Sequence, residues 1–400
     1  MHETNLSNRN QTNGSSNVQL SYLSIGLTQH AHNTRVFPRR GRGSPSGFVF
    51  GVSADLAARA GPPLGPGPPP PPTIAEVRAF LQSLLPVRQG DVAFDYHTPR
   101  SRFFDPGTAR PAHVVLSITP TPGFYDALAE AAAVASASPS SPRSTTTPLA
   151  FLHRPWELDR RRVPHGATVV ASHKAFDEVL TVGNNAALAA GLGMVLDKAG
   201  AIQGYKGDPD RTIGIVGPLD TARDRATLRA QLETEFGSFE GAFGFEDDNG
   251  AEEADNKEVA PSGEKDHVIR CVAIMNAFHP EEVDQVAALA AGMGLAPSLE
   301  DCRGVLYLTG AVRAPGLAAA RGKGMAVVCV GHRTCEEWGI RHLARVLRGR
   351  WPGLRVRAVL EAEEPRVFAK RGEGTGGKAS SVGQGVVLSP DVENKIDNAG

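Results

Sequence analysis

The sequence predicts an α/β protein of two α/β lobes with mixed or parallel sheets, a metal site at strand ends, and disordered N- and C-terminal arms. Three observations predict it. Apolar, β-rich runs alternate with helix-patterned runs between Thr73 and Phe368. That alternation is the signature of β-α units. An acidic, weakly hydrophobic stretch over 246–266 interrupts the alternation and reads as a flexible linker. Three histidines, His153, His173 and His332, each stand where a strand stops.

The elements follow in chain order. Residues 1–72 are Asn/Ser-rich, then basic around Arg39, Arg40 and Arg42, then Pro/Gly-rich. Such a composition cannot bury enough apolar surface to offset chain entropy. The first lobe is expected over 73–245. It opens on Thr73-Ile-Ala-Glu76, a capping box in which a Thr hydroxyl and a Glu carboxylate satisfy the first helical amides. The helix it starts ends at Pro86. HVVLSITPTP is a strand closed by prolines, and the run from Gly123 is a helix. PLAFLH and ATVVASH are strands, the residues from Asn185 to Leu192 a short helix, and TIGIVG a further strand. A charged amphipathic helix is expected from Thr221 to Phe236.

The second lobe is expected over 267–368. HVIRCVAIMNAF is a strand, followed by a helix with Pro280 in its first turn, where a proline is tolerated. VLYLTG and MAVVCVG are strands around a short helix in APGLAAARG. A long helix runs through EEWGIRHLARVLRGRW, and LRVRAVLEAEEP is the last strand. The tail over 369–400 reads as the N-terminal arm does.

Composition narrows the function. The formal net charge is −1, so no global field steers the chain to nucleic acid or to an anionic membrane, and neither is an expected partner. The four cysteines show no C-x-x-C spacing, which argues for a reduced intracellular setting and against a thiolate zinc site. No apolar run is long enough to span a membrane. A cytoplasmic protein is expected, with nucleus and mitochondrion as the other compartments open.

The histidines carry the chemistry. Ligands of open α/β sheets bind beyond the carboxyl ends of parallel strands. His173 has Asp177 four residues on, and His332 has Glu336 at the same spacing. In the last helix Ile340, Leu343, Ala344 and Leu347 form an inward stripe, and Glu336 lies one turn before Ile340 on that side. A carboxylate facing inward is costly unless paired or bound to a cation. Glu337 projects elsewhere and suits an ion pair with Arg341. Mixed imidazole and carboxylate donors suit zinc, iron(II) or manganese equally.

At these residues the chain resembles the GTP cyclohydrolase 1 type 2 homologues, also called the NGG-interacting factor three family. The motifs are FLHRPW with His153, then SHKAFDEVLTVGNNAALAAGLG with His173, Asp177, Gly183 and Asn185, then YLTG followed by GHRTCEEWGI. The resemblance implies two α/β lobes and a divalent, often dinuclear, metal site between them, with His153, Asp177, His332 and Glu336 as ligands. The strand-end placement adds His173 as a further candidate. The resemblance also implies homo-oligomers, up to ring-like hexamers, and contact with a transcriptional adaptor, for which the disordered arms suit partner docking. One departure is sharp. Arg154 stands where the family's His-His pair has its second histidine, and an Arg cannot ligate a metal. Arg313, Ala314 and Pro315 stand where further histidines are usual. One or two ions per chain are therefore open, with Arg154 cast as an anion-binding group. Two functions follow: a metal-dependent hydrolase acting on GTP or a related centre, or a non-catalytic oligomeric scaffold.

Overall fold

The computed structural model describes residues 70–137, 146–205, 207–245 and 268–361. The arms expected over 1–72 and 369–400 and the linker expected over 246–266 lie outside the described residues, apart from 70–72.

The first sheet holds β1 (Asp95–His97), β2 (Arg110–Ser117), β3 (Thr146–Leu152), β4 (Thr168–Ala171) and β11 (Val356–Val359), in the order β1-β4-β3-β2-β11. All neighbours are parallel except β1, an antiparallel edge. Strand side chains alternate between faces, and here both faces are covered. Val114, Leu116, Leu149 and Phe151 meet α1 (Ile74–Leu84) and α8 (His332–Arg350) on one side. Val115, Ala150 and Leu152 meet α2 (Pro122–Ala137) on the other. The capping box at Thr73 forms as its spacing predicts, with Thr73 Oγ1 accepting from the Glu76 amide at 3.2 Å.

The second sheet holds β5 (Gly200–Tyr205), β6 (Asp208–Asp224), β7 (Gly241–Phe243), β8 (Val268–Met275), β9 (Val305–Thr309) and β10 (Ala326–Cys329), in the order β5-β6-β8-β9-β10-β7. Only β8, β9 and β10 run parallel, so this sheet is mixed. Helices α6 (Pro280–Gly292) and α7 (Ala314–Gly322) cover one face through Val283, Val286 and Ala320. Helices α4 (Ala186–Gly191) and α5 (Arg225–Phe236) cover the other through Leu188, Leu228 and Leu232.

Two expectations differ from this layout. The sheets do not divide at 246–266: β5, β6 and β7 already belong to the second sheet, and β11 returns to the first. Strand partners are set by distant pairing, which linear composition does not encode. The helix expected from Thr221 starts at Arg225, because Asp224 ends β6 and caps α5 by accepting from the Thr227 amide at 2.7 Å.

Helix α8 joins the cores. Cys335 and Trp338 in its early turns pack in the second lobe, while Ile340, Leu343, Ala344 and Leu347 pack in the first. It starts at His332 itself, behind Gly331, whose φ of 93° suits glycine. All four cysteines are free and buried. Among the described residues no helix is long and apolar enough to cross a membrane.

Candidate metal centre

Strand ends and one short helix build the centre. β3 stops at Leu152 and delivers His153, whose amide donates to Ser117 O at 3.2 Å. The next amide, of Arg154, donates to Ile118 O at 2.7 Å, so both side chains start from a fixed backbone. β4 stops at Ala171, and His173 precedes α3 (Lys174–Val179), which carries Asp177. The side chain of His173 does not cap α3. Asp91 does so from a distant loop, its carboxylate accepting from the amides of His173 and Lys174 at 3.1 Å each. An acidic group at a helix N-terminus is favoured by the orphan amides there.

His153 is fully buried, and its Nδ1 lies 3.2 Å from the carbonyl oxygen of Ser172. A carbonyl can only accept, so Nδ1 carries the proton. Nε2 then faces two carboxylates, Asp177 Oδ1 at 3.3 Å and Glu336 Oε1 at 3.2 Å. The same Glu336 oxygen lies 3.2 Å from His332 Nε2. His173 Nε2 lies 3.6 Å from Asp177 Oδ2. His153, His173 and Asp177 each offer a ligand atom within 4.8 Å of the others. Glu336 and His332 join this group through Glu336 Oε1.

The electrostatics favour positive charge on His153 between the two carboxylates. Burial opposes charge on His153, but Asp177 and Glu336 outweigh it and push the imidazole up to about 10. Burial opposes charge on Glu336 as well, yet His153 and His332 hold its carboxyl well below the usual range. Asp177 is lowered too, burial again losing to His153. The hydrogen bond to Glu336 raises His332 against its burial, while burial lowers His173. The buried Glu336 carboxylate and the half-buried Asp177 carboxylate thus converge on one imidazole nitrogen, which holds a proton between them.

The residues singled out by sequence come together here: His153, Asp177, His332, Glu336 and also His173. Glu336 is 1% exposed, and Glu337 pairs with Arg333 at 2.9 Å and Arg341 at 3.5 Å, as the helix phase predicts. Arg154, expected as an anion-binding group, donates from Nη2 to Glu336 Oε2 at 3.0 Å. Asn185 is structural: it caps α4 by accepting from the Leu188 amide and donates to Thr181 O.

Several contacts carry no signature in the sequence. Asp91 is one. Another is Glu178, buried beside Asp177, which accepts from Arg88 Nε at 2.8 Å and lies 3.4 Å from Arg211 Nε on β6. That pair ties the second sheet to the helix carrying Asp177. Phe176 supports the His153 ring at 4.4 Å, and Trp156, 56% exposed, meets His173 edge-on at 4.8 Å. Only the neighbourhood of the SHKAFDE motif hinted at Phe176 and Glu178.

No curated protein matches the sequence. Among solved structures, the Staphylococcus aureus protein SA1388 is similar at 13% identity and a TM-score of 0.45, covering 75% of this chain and 100% of its own. A Bacillus cereus protein related to NIF3 is similar at 12% identity and a TM-score of 0.41, covering 74% and 99%. Reduced HcgD from Methanocaldococcus jannaschii is similar at 13% identity and a TM-score of 0.40, covering 72% and 97%. Residues 158–365 match the description Duf34/NIF3 (NGG1p interacting factor 3), a span that includes His173, Asp177, His332 and Glu336 and begins just after His153 and Arg154. Since that match takes in more than half of the 400 residues, the chain belongs to the Duf34/NIF3 (NGG1p interacting factor 3) family.

Proposed function

We propose that the centre holds a divalent metal ion and that the protein is a metal-dependent hydrolase. The observation that carries this reading is His153 Nε2 lying between Asp177 and Glu336 while Nδ1 is committed to Ser172 O. A metal-ligating histidine is typically oriented by just such a backbone partner. The donor set fits: neutral imidazole with carboxylate suits zinc, iron(II) or manganese. His153, Asp177, His332 and Glu336 would hold the ion, with His173, whose ring stacks on that of His153 at 4.9 Å, also within reach. When bound, the ion supplies an acidified water and polarises a carbonyl or phosphoryl oxygen. The chain does the rest. Ser172 fixes the His153 tautomer, Phe176 backs its ring, Arg154 orients Glu336 through Oε2, and His153 and His332 keep that carboxylate ionised. His173 and His332, 31% and 63% exposed, form the accessible side where a substrate enters.

GTP, which the sequence resemblance implies, is the first substrate to assay, with and without restored zinc or manganese. Turnover abolished by Asp177→Ala supports the hydrolase. Absence of turnover with every metal favours the second reading, a metal-containing homo-oligomeric scaffold that docks a protein partner. The commitment of Glu336 Oε2 to Arg154 favours that reading, because it withdraws a donor from metal chemistry.

Acidity offers a further check. In the metal-free protein the raised His153 contributes stability that is fully present below its unfolded value of about 6.5 and is lost as pH rises through about 10. A metal replaces that proton, so binding should release it and the apparent affinity should rise roughly tenfold per pH unit across neutral pH. Calorimetric titration with zinc at several pH values reads this slope. A flat profile would show that no such proton is displaced.

A further inference from the structure

We propose that Arg154 is a built-in second cation of the centre, which limits it to one divalent ion per chain. The proposal rests on the metal-site reading above. A carboxylate has two oxygens and can bridge two cations. In Glu336, Oε1 faces His153 and His332 at 3.2 Å each, while Oε2 accepts from Arg154 Nη2 at 3.0 Å. With Glu336 only 1% exposed, neither oxygen is left for water. A second ion reaching Oε2 must displace a guanidinium, and a guanidinium cannot lose its charge to make room.

The Arg154 side chain is 13% exposed, and its backbone is pinned by the bond to Ile118 O. Arg154 already offsets one of the two carboxylates, so a first divalent ion leaves the centre with positive charge in excess. A second would meet strong repulsion at the effective dielectric of a buried site. The guanidinium is covalently part of the chain, so chelation can strip the ion but not this cation.

The test uses the full-length chain, stripped with chelator and titrated with Mn(II). Metal per chain is measured after desalting, and Mn(II) paramagnetic resonance distinguishes isolated from coupled ions. Wild type is expected to hold about one ion with the spectrum of isolated Mn(II). Arg154→His, which removes the permanent charge and supplies an imidazole, is expected to rise to about two ions with exchange coupling in excess metal. Arg154→Lys is expected to stay at about one. Two ions in wild type, or a single ion in a folded Arg154→His that binds the first normally, would overturn the proposal. If Arg154→His does not fold, the wild-type spectrum decides: coupled ions overturn it, isolated ions support it. No ion in wild type removes the metal reading itself and this proposal with it, an outcome distinct from finding two.

Discussion

Gly339→Val is expected to destabilise the protein by about 3 kcal/mol, the upper range for overpacking a close-fitted core. It should also weaken metal binding roughly 10- to 100-fold, as loss of support around a ligand does. Glycine inside a helix costs about 1 kcal/mol relative to alanine, so its presence in α8 needs a reason. The reason is close approach. A Cβ at Gly339 would lie 2.6 Å from Leu180 O and 2.6 Å from the Phe176 ring. Phe176 lies against the His153 ring, and Glu336 sits one turn earlier on the same helix. A bulky residue must therefore push α8 off α3 and separate Glu336 from His153 and Asp177. Denaturant unfolding and metal titration of the variant measure both effects. Wild-type values in both would show that α8 does not set the geometry of the centre.

Glu336→Ala should remove the metal and destabilise the metal-free protein by about 3–5 kcal/mol, the cost of breaking a buried pair from one side. Its carboxylate is the shared partner of His153, His332 and Arg154. Truncation leaves the Arg154 guanidinium, 13% exposed, without that carboxylate. Glu336→Gln separates the two losses. Its amide oxygen can still accept from Arg154, so stability should fall less, while the missing charge should still abolish tight metal binding. Equal stability of the alanine and glutamine variants would mean that the Arg154 contact is not what the carboxylate supports.

Much of the centre was legible because its signals are local. A strand that ends at a histidine, and a carboxylate four residues later, are both visible within a short window, as at His173 and Asp177. The depth of Glu336 followed from helix phase alone, since Ile340, Leu343 and Leu347 define the inward side of α8. The capping box at Thr73 was equally local. What stayed hidden depends on contacts across long sequence separations. Nothing near Asp91 says that it caps α3, and nothing near Arg88 or Arg211 says that Glu178 gathers them. The strands over 200–243 lie within the span expected as the first lobe, yet β6 pairs with β8 and β7 with β10, and β5 joins that sheet through β6. Arg154 was recognised as a departure, but its partner Glu336 lies on a helix near the other end of the chain.

The most direct test of the central claim is an anomalous-scattering map from crystals of the full chain grown with zinc. The account predicts one strong peak within bonding distance of His153 Nε2, Asp177, Glu336 and His332. A map with no peak there, or with the ion bound only at sites that exclude His153 and Glu336, would contradict it.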